Sequence, residues 1–444
     1  MYSFSRVKTV FFSLESDPGP IDELEFSWRL WKSIRSSIYT VSFGYCKIEY
    51  RNNNISAYYF DNFFFSFVMM DVEETSSLPL PDAFLDFLNQ HDLDPSIYTA
   101  TDSIPRYIRI KPGYEDLLEE IESDIRCKLE RVCWLPNFYH LQPDVRIASS
   151  KAYQEGKMYG IDAASGAAVT ALDISVGDHV LDLCAAPGAK LCMMLDILGS
   201  SGSVTGVDIA KHRLAACRTM LQKYSLGGHC RLFVADGTSF SLLPVRVHSG
   251  STLQNENGEK FEVYGEWKSR RPWKERKKEA IAREKGVSKL FSPTQEPELI
   301  FYGRYSGVVG MRKNELYQKM PISEVLQLGY DKVLVDAECT HDGSIKHVQK
   351  FEQWGWTTFQ RRVLDAERTD DLTILQLQLL TNGFRLLRVG GALVYSTCSL
   401  TFAQNEDVVE RFLSENTYAE IIAGDYCCQK LAMQEWSNTE NLTI

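Results

Sequence analysis

Residues Val180–Lys190, with the sequence VLDLCAAPGAK, contain an apolar run that ends in an acid and is followed by small residues and a glycine. This pattern is typical of a buried parallel strand that turns tightly into a helix. Because a loop of alanine, proline and glycine leaves its backbone uncovered, its amides and the start of the next helix can approach a ligand directly. The stretch therefore predicts a nucleotide-type binding site.

The residues after this loop indicate which kind of nucleotide it binds. A second predicted strand, Ser203–Asp208, ends in an acid about 20 residues past the glycine, where a doubly wound α/β fold places a ribose-binding carboxylate. A third predicted strand ends at Asp236. Leu191 stands where a P-loop needs a hydroxyl for magnesium, and the G-x-G-x-x-G pattern of dinucleotide sites is missing. A ligand with ribose and adenine but no phosphates remains, and S-adenosylmethionine fits this description.

The composition is that of an ordinary globular chain. Its 444 residues, 44% of them hydrophobic, are enough for two or three domains with a sizeable core. The net charge of -11 argues against a uniformly basic nucleic-acid coat but allows local basic patches. The 11 cysteines lack the paired spacing of a zinc site, so no metal site is predicted. With no signal peptide or long apolar run, we expect an intracellular monomer without a membrane, in the nucleus, nucleolus or cytoplasm.

The order of these patterns along the chain predicts three regions. Residues 1–70 show no sustained periodicity and are expected to form a poorly ordered extension. Residues 71–150 are expected to form a small α/β substrate-binding domain, and residues 151–444 a Rossmann-like α/β domain. Regularity stops after Asp236, which predicts an insertion at about 241–325.

Two basic segments predict contact with phosphates. Pro105–Lys111 alternates basic and apolar residues as a half-exposed strand does, so Arg106 and Arg109 would share one face. A solvated edge strand is the alternative for this segment. In the predicted insertion, tryptophans alternate with cations, a combination that stacks bases and holds phosphates, in Trp267, Arg270, Arg271, Trp273 and Lys274. A merely solvated block of charge is the alternative there, but together the segments predict RNA contact.

Two further predicted strands lead into cysteines. The strand that begins at Lys332 runs into Asp336 and Cys339, and the strand that begins at Gly391 runs into Cys398. Because ligands in an open α/β sheet bind beyond the carboxyl ends of the strands, we expect these three side chains beside the nucleotide loop. A single cysteine is more often a small buried hydrophobe, but two at strand ends with an acid alongside favour a site.

Two thiols beside a methyl donor suit methylation of carbon 5 of a pyrimidine. That carbon is too poor a nucleophile to attack a sulfonium methyl unaided, whereas a thiolate that adds to carbon 6 makes carbon 5 electron-rich. Release then requires loss of the carbon 5 proton and elimination of the thiolate, for which a second thiol or a nearby base is suitable. Asp336 suits the charge that develops near ring nitrogen 3. A redox or thiol hydrolase function is less favoured, because no histidine lies in an obvious motif to activate either cysteine.

Three motifs resemble those of the Sun/Fmu-type RNA cytosine-5 methyltransferases: Asp182–Lys190 (DLCAAPGAK), Val335–Thr340 (VDAECT) and Ser396–Ser399 (STCS). The resemblance extends over most of residues 100–415 outside the predicted insertion. It implies a class I methyltransferase sheet with a small N-terminal α/β RNA-binding domain. It also implies formation of 5-methylcytosine in tRNA or rRNA with S-adenosylmethionine as cofactor.

The resemblance assigns roles to individual residues. It implies that Cys398 is the nucleophile and that Cys339 assists release. It implies that Asp336 contacts the cytosine and that Lys190 lies near cofactor and base. The residues implied to bind S-adenosylmethionine are Cys184, Ala185, Ala186, Pro187, Gly188, Ala189, Lys190, Asp208, Arg213, Asp236 and Asp336.

Two features depart from the family pattern. Glu338 stands where the family usually has a proline, and its negative charge is expected to raise the pKa of the neighbouring thiol. Family members continue at the C-terminus into a closing strand pair, whereas this chain ends in a polar segment after Tyr426, so the final edge strand is expected to be missing. These departures leave an alternative function, an RNA-binding relative or isoform that keeps the fold but has little activity.

Overall fold

A computed structural model describes residues 8–14, 46–51, 54–59, 80–99, 105–246, 264–265, 296–318 and 322–421. The described strands are β1 (Lys8–Leu14), β2 (Cys46–Arg51), β3 (Asn54–Tyr59), β4 (Arg106–Ile110), β5 (Glu130–Arg131), β6 (Phe138–Leu141), β7 (Met158–Gly160), β8 (His179–Asp182), β9 (Ser203–Asp208), β10 (Cys230–Val234), β11 (Tyr264–Gly265), β12 (Glu298–Gly303), β13 (Tyr330–Asp336), β14 (Leu387–Thr397) and β15 (Ala419–Ile421).

Helices lie between most of these strands. The described α-helices are α1 (Asp82–Gln90), α2 (Ser96–Thr99), α3 (Leu118–Ile125), α4 (Lys151–Gln154), α5 (Ala163–Ala171), α6 (Ala189–Leu198), α7 (Lys211–Lys223), α8 (Lys313–Leu316), α9 (Ile322–Leu328), α10 (Ile345–Gln353), α11 (Trp356–Phe359), α12 (Ala366–Arg385) and α13 (Glu406–Glu415). Short 3-10 turns cover Glu115–Leu117 and Gly227–His229, and a π-helical turn covers Gln360–Leu364. None of the helices in the described ranges is both long and apolar enough to cross a membrane.

The main sheet has nine strands in the order β11-β12-β10-β9-β8-β13-β14-β1-β15. Its central strands β10, β9, β8, β13 and β14 run parallel, as strands joined by crossover helices must. β12 lies antiparallel beside β10, and β1 lies antiparallel beside β14. The prediction of a Rossmann-like α/β sheet is confirmed.

The apolar residues of the central strands are buried on both faces of the sheet. Val180, Val204 and Leu232 belong to the core on one face, and Leu181 and Phe233 to the core on the other. Successive side chains of a strand point to opposite faces, so a strand covered by helices on both sides needs a continuous apolar run. This is why the short runs at residues 180 and 203 formed strands at the centre of the sheet.

The N-terminal residues contain strands where the sequence predicted a poorly ordered extension. β1 pairs antiparallel with both β14 and β15, and β2 and β3 form a hairpin. β1 and the edge strand β15 therefore extend the sheet beyond β14, on the side that we expected to lack a closing strand. Backbone pairing of this kind needs no side-chain periodicity, which is the signal that the sequence analysis used. The three domain boundaries stay predictions.

The small sheet, in the order β5-β6-β4-β7, corrects one of the RNA-binding assignments. β4 carries Arg106 and Arg109, but Arg109 is only 3% exposed. Its Nη1 donates to the carbonyl of Pro136 at 3.3 Å, and its Nε lies 3.8 Å from Oδ2 of Asp196 on α6. Because β4 is an inner strand covered by α6, the prediction that Arg109 contacts RNA is wrong. Arg106 is half-buried and donates to the carbonyl of Val145 at 2.7 Å.

Part of the predicted insertion lies outside the residues that the structure describes. The candidate RNA-binding residues Trp267, Arg270, Arg271, Trp273 and Lys274 lie outside the described residues. Regular structure returns earlier than expected, because β12 begins at Glu298 and joins the main sheet.

Candidate active site

The loop between β8 and α6 turns as the sequence predicted. β8 ends at Asp182, α6 begins at Ala189, and the backbone of Gly188 has a φ of +111°. A side chain is disfavoured at that angle, and a Cβ on Gly188 would also lie 3.0 Å from the Cα of Cys217. Glycine therefore lets α7 pack directly beneath the loop.

Asp208, at the end of β9, holds this loop in place. Its Oδ2 accepts the amide of Ala186 at 3.2 Å and its Oδ1 accepts the amide of Ala210 at 2.8 Å. Arg213 donates to the carbonyl of Ala186 at 2.8 Å and lies 3.8 Å from the Asp208 carboxylate. A carboxylate offers about four acceptor positions, so Asp208 keeps capacity for ligand hydroxyls.

Asp236 lies two residues beyond the end of the neighbouring strand β10, at the same edge. Its Oδ1 accepts the amide of Thr238 at 2.9 Å and the hydroxyl of Thr238 at 2.7 Å. The structure therefore brings together the acids Asp208 and Asp236, Arg213 and the loop 184–190, at the carboxyl ends of parallel strands. This is the edge at which open α/β sheets bind ligands.

Asp182, the last residue of β8, is buried beneath the loop with 1% exposure. Its Oδ1 accepts the amide of Cys184 at 3.1 Å. Burial raises the pKa of Asp182 from 3.8 to about 7, because the ionised carboxylate loses its hydration.

This shift predicts how stability depends on pH. The folded protein binds a proton at Asp182 that the unfolded chain has already released between pH 4 and 7, so Asp182 costs stability progressively as the pH rises through that window. Asp182→Asn keeps the acceptor for Cys184, and it is expected to be more stable than the parent protein by up to about 4 kcal/mol at pH 8 but not at pH 4. Chemical unfolding at both pH values measures this difference. Asp116→Asn, at an exposed position, is the control, and equal pH dependence of the Asp182 variant and the parent would contradict the prediction.

An ion pair joins the first turn of α6 to the end of β13. Nζ of Lys190 donates to Oδ2 of Asp336 at 2.7 Å, and the hydroxyl of Ser396 donates to Oδ1 of Asp336 at 2.8 Å. Burial disfavours the charged form of Lys190, but the charge and hydrogen bond of Asp336 have the larger effect. The pKa of Lys190 is therefore above its usual value. Lys190 is therefore a fixed cation between the loop and the strand ends.

The two predicted cysteines lie next to each other beside this ion pair. Sγ of Cys339 and Sγ of Cys398 are 3.1 Å apart, with Cys339 buried and Cys398 half-buried. β13 and β14 are parallel neighbours, so the loops that follow them leave the sheet at the same edge. The prediction from strand ends thus placed both thiols correctly in one site.

Buried polar contacts hold the two cysteine loops against each other. Oε1 of Gln404 accepts the amide of Thr340 at 3.1 Å, and Oδ2 of Asp342 accepts the amide of Leu400 at 2.8 Å. The amide of Gly343 donates to the carbonyl of Cys398 at 2.9 Å, and a Cβ on Gly343 would lie 2.6 Å from that oxygen. Sequence patterns carry no signal for Gln404, Asp342, Leu400 or Gly343, since their partners are about 60 residues away along the chain.

A histidine missed by the sequence analysis contacts both sulfurs. Nδ1 of His341 lies 2.8 Å from Sγ of Cys398 and 3.6 Å from Sγ of Cys339. The sequence has no histidine in an obvious motif to activate either cysteine, but the fold brings His341 within reach of both. Spacing alone gave no signal, because His341 reaches Cys398 only through the pairing of β13 with β14.

The pKa values of the two thiols shift in opposite directions. Burial opposes ionisation of Cys339, but hydrogen bonds with Cys398 and His341 outweigh burial and lower the pKa of Cys339 to about 6. The hydrogen bond to Cys339, together with burial, raises the pKa of Cys398 well above that of a free thiol. The pKa of Cys339 thus lies below that of a free thiol, and the pKa of Cys398 lies above it.

Glu338 does not act on the thiol as we expected. Its Oε1 pairs with Nη2 of Arg368 at 3.1 Å, and its backbone carbonyl accepts from Gln376 at 2.8 Å. The pKa of Cys339 is lowered rather than raised, because its hydrogen bonds with Cys398 and His341 dominate.

Comparisons with known proteins agree with this arrangement. The family model described as 16S rRNA methyltransferase RsmB/F matches residues 169–247 and 313–440. The rRNA (cytosine-C(5))-methyltransferase NOP2C of Arabidopsis thaliana is 24% identical over 298 residues, which is 61% of this chain and 46% of that protein. The mitochondrial tRNA (cytosine(34)-C(5))-methyltransferase of Danio rerio is 25% identical over 314 residues, 70% of this chain and 60% of that protein.

A solved structure supports the fold. The crystal structure of PH0851 is similar with a TM-score of 0.50 and 19% identity, over 77% of this chain and 61% of that one. The chain spans between 23% and 60% of the length of the first three curated relatives that it matches. By its matched residues and motifs, the chain is similar to the RsmB/F-type family of RNA cytosine-C5 methyltransferases, whose family model matches a little under half of the chain.

Proposed function

We propose that this chain is an S-adenosylmethionine-dependent RNA methyltransferase that forms 5-methylcytosine in tRNA or rRNA. The observation that carries the proposal is the pair of cysteine sulfurs 3.1 Å apart at the ends of adjacent parallel strands. The Lys190–Asp336 ion pair lies beside them. The relatives named above act on tRNA or rRNA cytosines, which supports this substrate class.

The residues of the loop edge fit S-adenosylmethionine. Asp208 and Asp236 offer carboxylate oxygens of the kind that accept ribose and amino hydrogens. The one cation of the loop, Lys190, is paired with Asp336 and so is committed to a carboxylate, as suits a ligand without phosphates. When bound, S-adenosylmethionine supplies an electrophilic methyl group.

One cysteine would act before methyl transfer and the other after it. The sulfur of Cys398 forms a bond to carbon 6 of cytosine, and the π bond between carbons 5 and 6 breaks. Its electron pair is delocalised over carbon 5, carbon 4 and ring nitrogen 3, which makes carbon 5 nucleophilic. Asp336, oriented by Lys190 and Ser396, would face the ring nitrogen 3 edge where charge develops. After transfer, a base near carbon 5 removes its proton, the double bond reforms, and Cys398 leaves as a thiolate. The 3.1 Å distance between the two sulfurs supports Cys339 as the group that assists this release.

An RNA-binding relative with little activity is the second candidate. Glu338 and the altered C-terminus are the features that favour it. Two observations speak against the low-activity candidate. Glu338 is paired with Arg368, and β1 and β15 extend the sheet beyond β14. A shift of the melting temperature with S-adenosylmethionine, followed by transfer of a labelled methyl group to RNA, separates the candidates. Cofactor binding without any transfer to tRNA or rRNA would favour the binding protein.

Cofactor affinity is expected to depend on Asp208. Asp208→Ala removes the carboxylate proposed to accept ribose hydroxyls and also loosens the loop amide at Ala186. We expect S-adenosylmethionine binding to weaken by about 1–3 kcal/mol, measured by calorimetry. Asp407→Ala, an exposed acid on α13, is the control. Equal affinity for the parent and the Asp208 variant would exclude the carboxylate from the cofactor site.

RNA affinity is expected to depend on the cations of the predicted insertion. Replacing Arg270, Arg271 and Lys274 together by alanine should weaken binding and reduce the slope of log affinity against log salt by about 2–3, since each phosphate contact releases a counterion. Fluorescence anisotropy across a salt series measures both quantities. Arg411→Ala, a surface arginine on α13, should leave the slope unchanged. If the triple variant keeps the parent slope, the insertion does not contact RNA.

A further inference from the structure

His341 has a backbone conformation that its neighbours must impose. Its φ is +62°, in the left-handed region that residues other than glycine adopt infrequently, although histidine does so more often than most, as asparagine and aspartate do. Residues held in such conformations cluster at functional sites, where the surrounding structure outweighs the cost. Here the flanking contacts of Thr340 with Gln404 and of Asp342 with Leu400 fix the turn. The result is that the imidazole lies against the sulfur pair.

The imidazole ring is held on both sides. On one side its Nδ1 lies 2.8 Å from Sγ of Cys398 and 3.6 Å from Sγ of Cys339. On the other side the ring stacks on His347, with centroids 4.5 Å apart and planes at 14°. His347 is itself fixed by a 2.8 Å contact between its Nδ1 and the hydroxyl of Ser344. Nδ1 of His341 therefore faces the two sulfurs.

The charges around the ring favour one cation at this place. Burial disfavours an imidazolium, but the hydrogen bond and charge of Cys339 outweigh burial and raise the pKa of His341, with help from Glu338 and Asp342. Burial, the neighbouring His341 and Lys350 lower the pKa of His347 to about 4, so His347 stays neutral at neutral pH. A proton on the stacked pair is therefore favoured on His341 over His347.

We propose that His341 is the counter-ion that keeps one sulfur of the cysteine pair ionised, so that Cys398 can attack as a thiolate. The S–H bond of Cys398 breaks, its proton moves across the 3.1 Å contact to Sγ of Cys339, and the electron pair stays on Cys398, 2.8 Å from the imidazolium. That electron pair then forms the bond to carbon 6. No oxidant or further reactant is needed, since one proton changes place. The step rests on the proposed function for the identity of the electrophile.

The test uses thiol reactivity, which needs neither RNA nor cofactor. The parent protein and His341→Asn are alkylated with iodoacetamide from pH 5 to 10 in a chelator-containing buffer, and labelling of the Cys339 and Cys398 peptides is quantified by mass spectrometry. Asparagine suits the positive φ but carries no charge. We expect the midpoint of the alkylation profile to rise by about one pH unit or more in the variant, with labelling at pH 6.5 reduced about tenfold. His140→Asn, on β6, is the control with the same substitution.

A second variant separates charge from folding. His341→Gly also suits the backbone, and added imidazole is expected to restore its labelling at low pH, whereas an unfolded variant would not respond. Single-turnover methyl transfer is measured on the same proteins. An unchanged alkylation profile in both His341 variants overturns the proposal even if the parent methylates RNA. A shifted profile with a parent that never methylates RNA supports the counter-ion and instead refutes the proposed function.

Discussion

Replacing Cys398 by alanine is expected to abolish methyl transfer, lowering the single-turnover rate by at least about 10³-fold. Without its sulfur, no bond to carbon 6 can form, and carbon 5 of cytosine stays too weak a nucleophile to take the methyl group. The loss should appear in the chemical step while cofactor affinity stays near that of the parent, because the loop 184–190 and Asp208 are unchanged. Rapid-quench transfer of labelled methyl from S-adenosylmethionine to RNA measures the rate, and calorimetry measures the affinity.

The control for this variant is Cys133→Ala, which removes an exposed thiol away from the strand ends. It should retain the parent rate. Methyl transfer by Cys398→Ala at a rate near that of the parent would remove Cys398 as nucleophile, and so would a covalent complex with RNA formed by this variant.

Replacing Cys339 by alanine is expected to trap the enzyme on its RNA. Cys398 is retained and can still add to carbon 6, because Nδ1 of His341 lies 2.8 Å from its sulfur and can accept its proton when Cys339 is absent. Methyl transfer should therefore occur once. Release then lacks the group placed to assist loss of the carbon 5 proton, so turnover should slow by about 10²–10⁴-fold. A protein–RNA adduct that survives denaturing electrophoresis is the expected product.

The double variant Cys339→Ala/Cys398→Ala is the matched control, since it has neither sulfur and should give no adduct. A folded Cys339→Ala protein that methylates RNA repeatedly, with no adduct at any time, would show that water or another base performs release. In that outcome Cys339 would keep only its place as the partner of Cys398 in the resting site.

The parallel sheet and the place of its ligand edge could be read from the sequence. Val180–Lys190 and Ser203–Asp208 combine short buried strands with acids at the strand ends, and both the burial of those strands and the turn at Gly188 are local requirements. The strand ends also brought Asp336, Cys339 and Cys398 together correctly. These inferences succeeded because parallel strands joined by helices place all their carboxyl ends at one edge.

Single residues whose roles depend on distant partners were decided only by the tertiary structure. Arg109 alternates with apolar residues as an exposed cation would, yet it is buried because β4 became an inner strand against Asp196. Glu338 was expected to raise the pKa of the Cys339 thiol, but the hydrogen bonds of Cys339 with Cys398 and His341 dominate that pKa. Glu338 pairs instead with Arg368, thirty residues further along the chain. β1 filled a sheet edge through backbone pairing, which leaves little trace in side-chain patterns.

The sequence by itself determined the Rossmann-like sheet, its ligand edge and the two thiols there, because these follow from short-range patterns of apolarity, turn residues and strand order. Only the tertiary structure decided that His341 meets both sulfurs and that the pKa values of the two thiols shift in opposite directions. The physical reason is that a pKa depends on every charge, hydrogen bond and loss of hydration within a few ångströms. Those neighbours, Cys398 and His347 among them, come from loops and helices that only the folded sheet brings together.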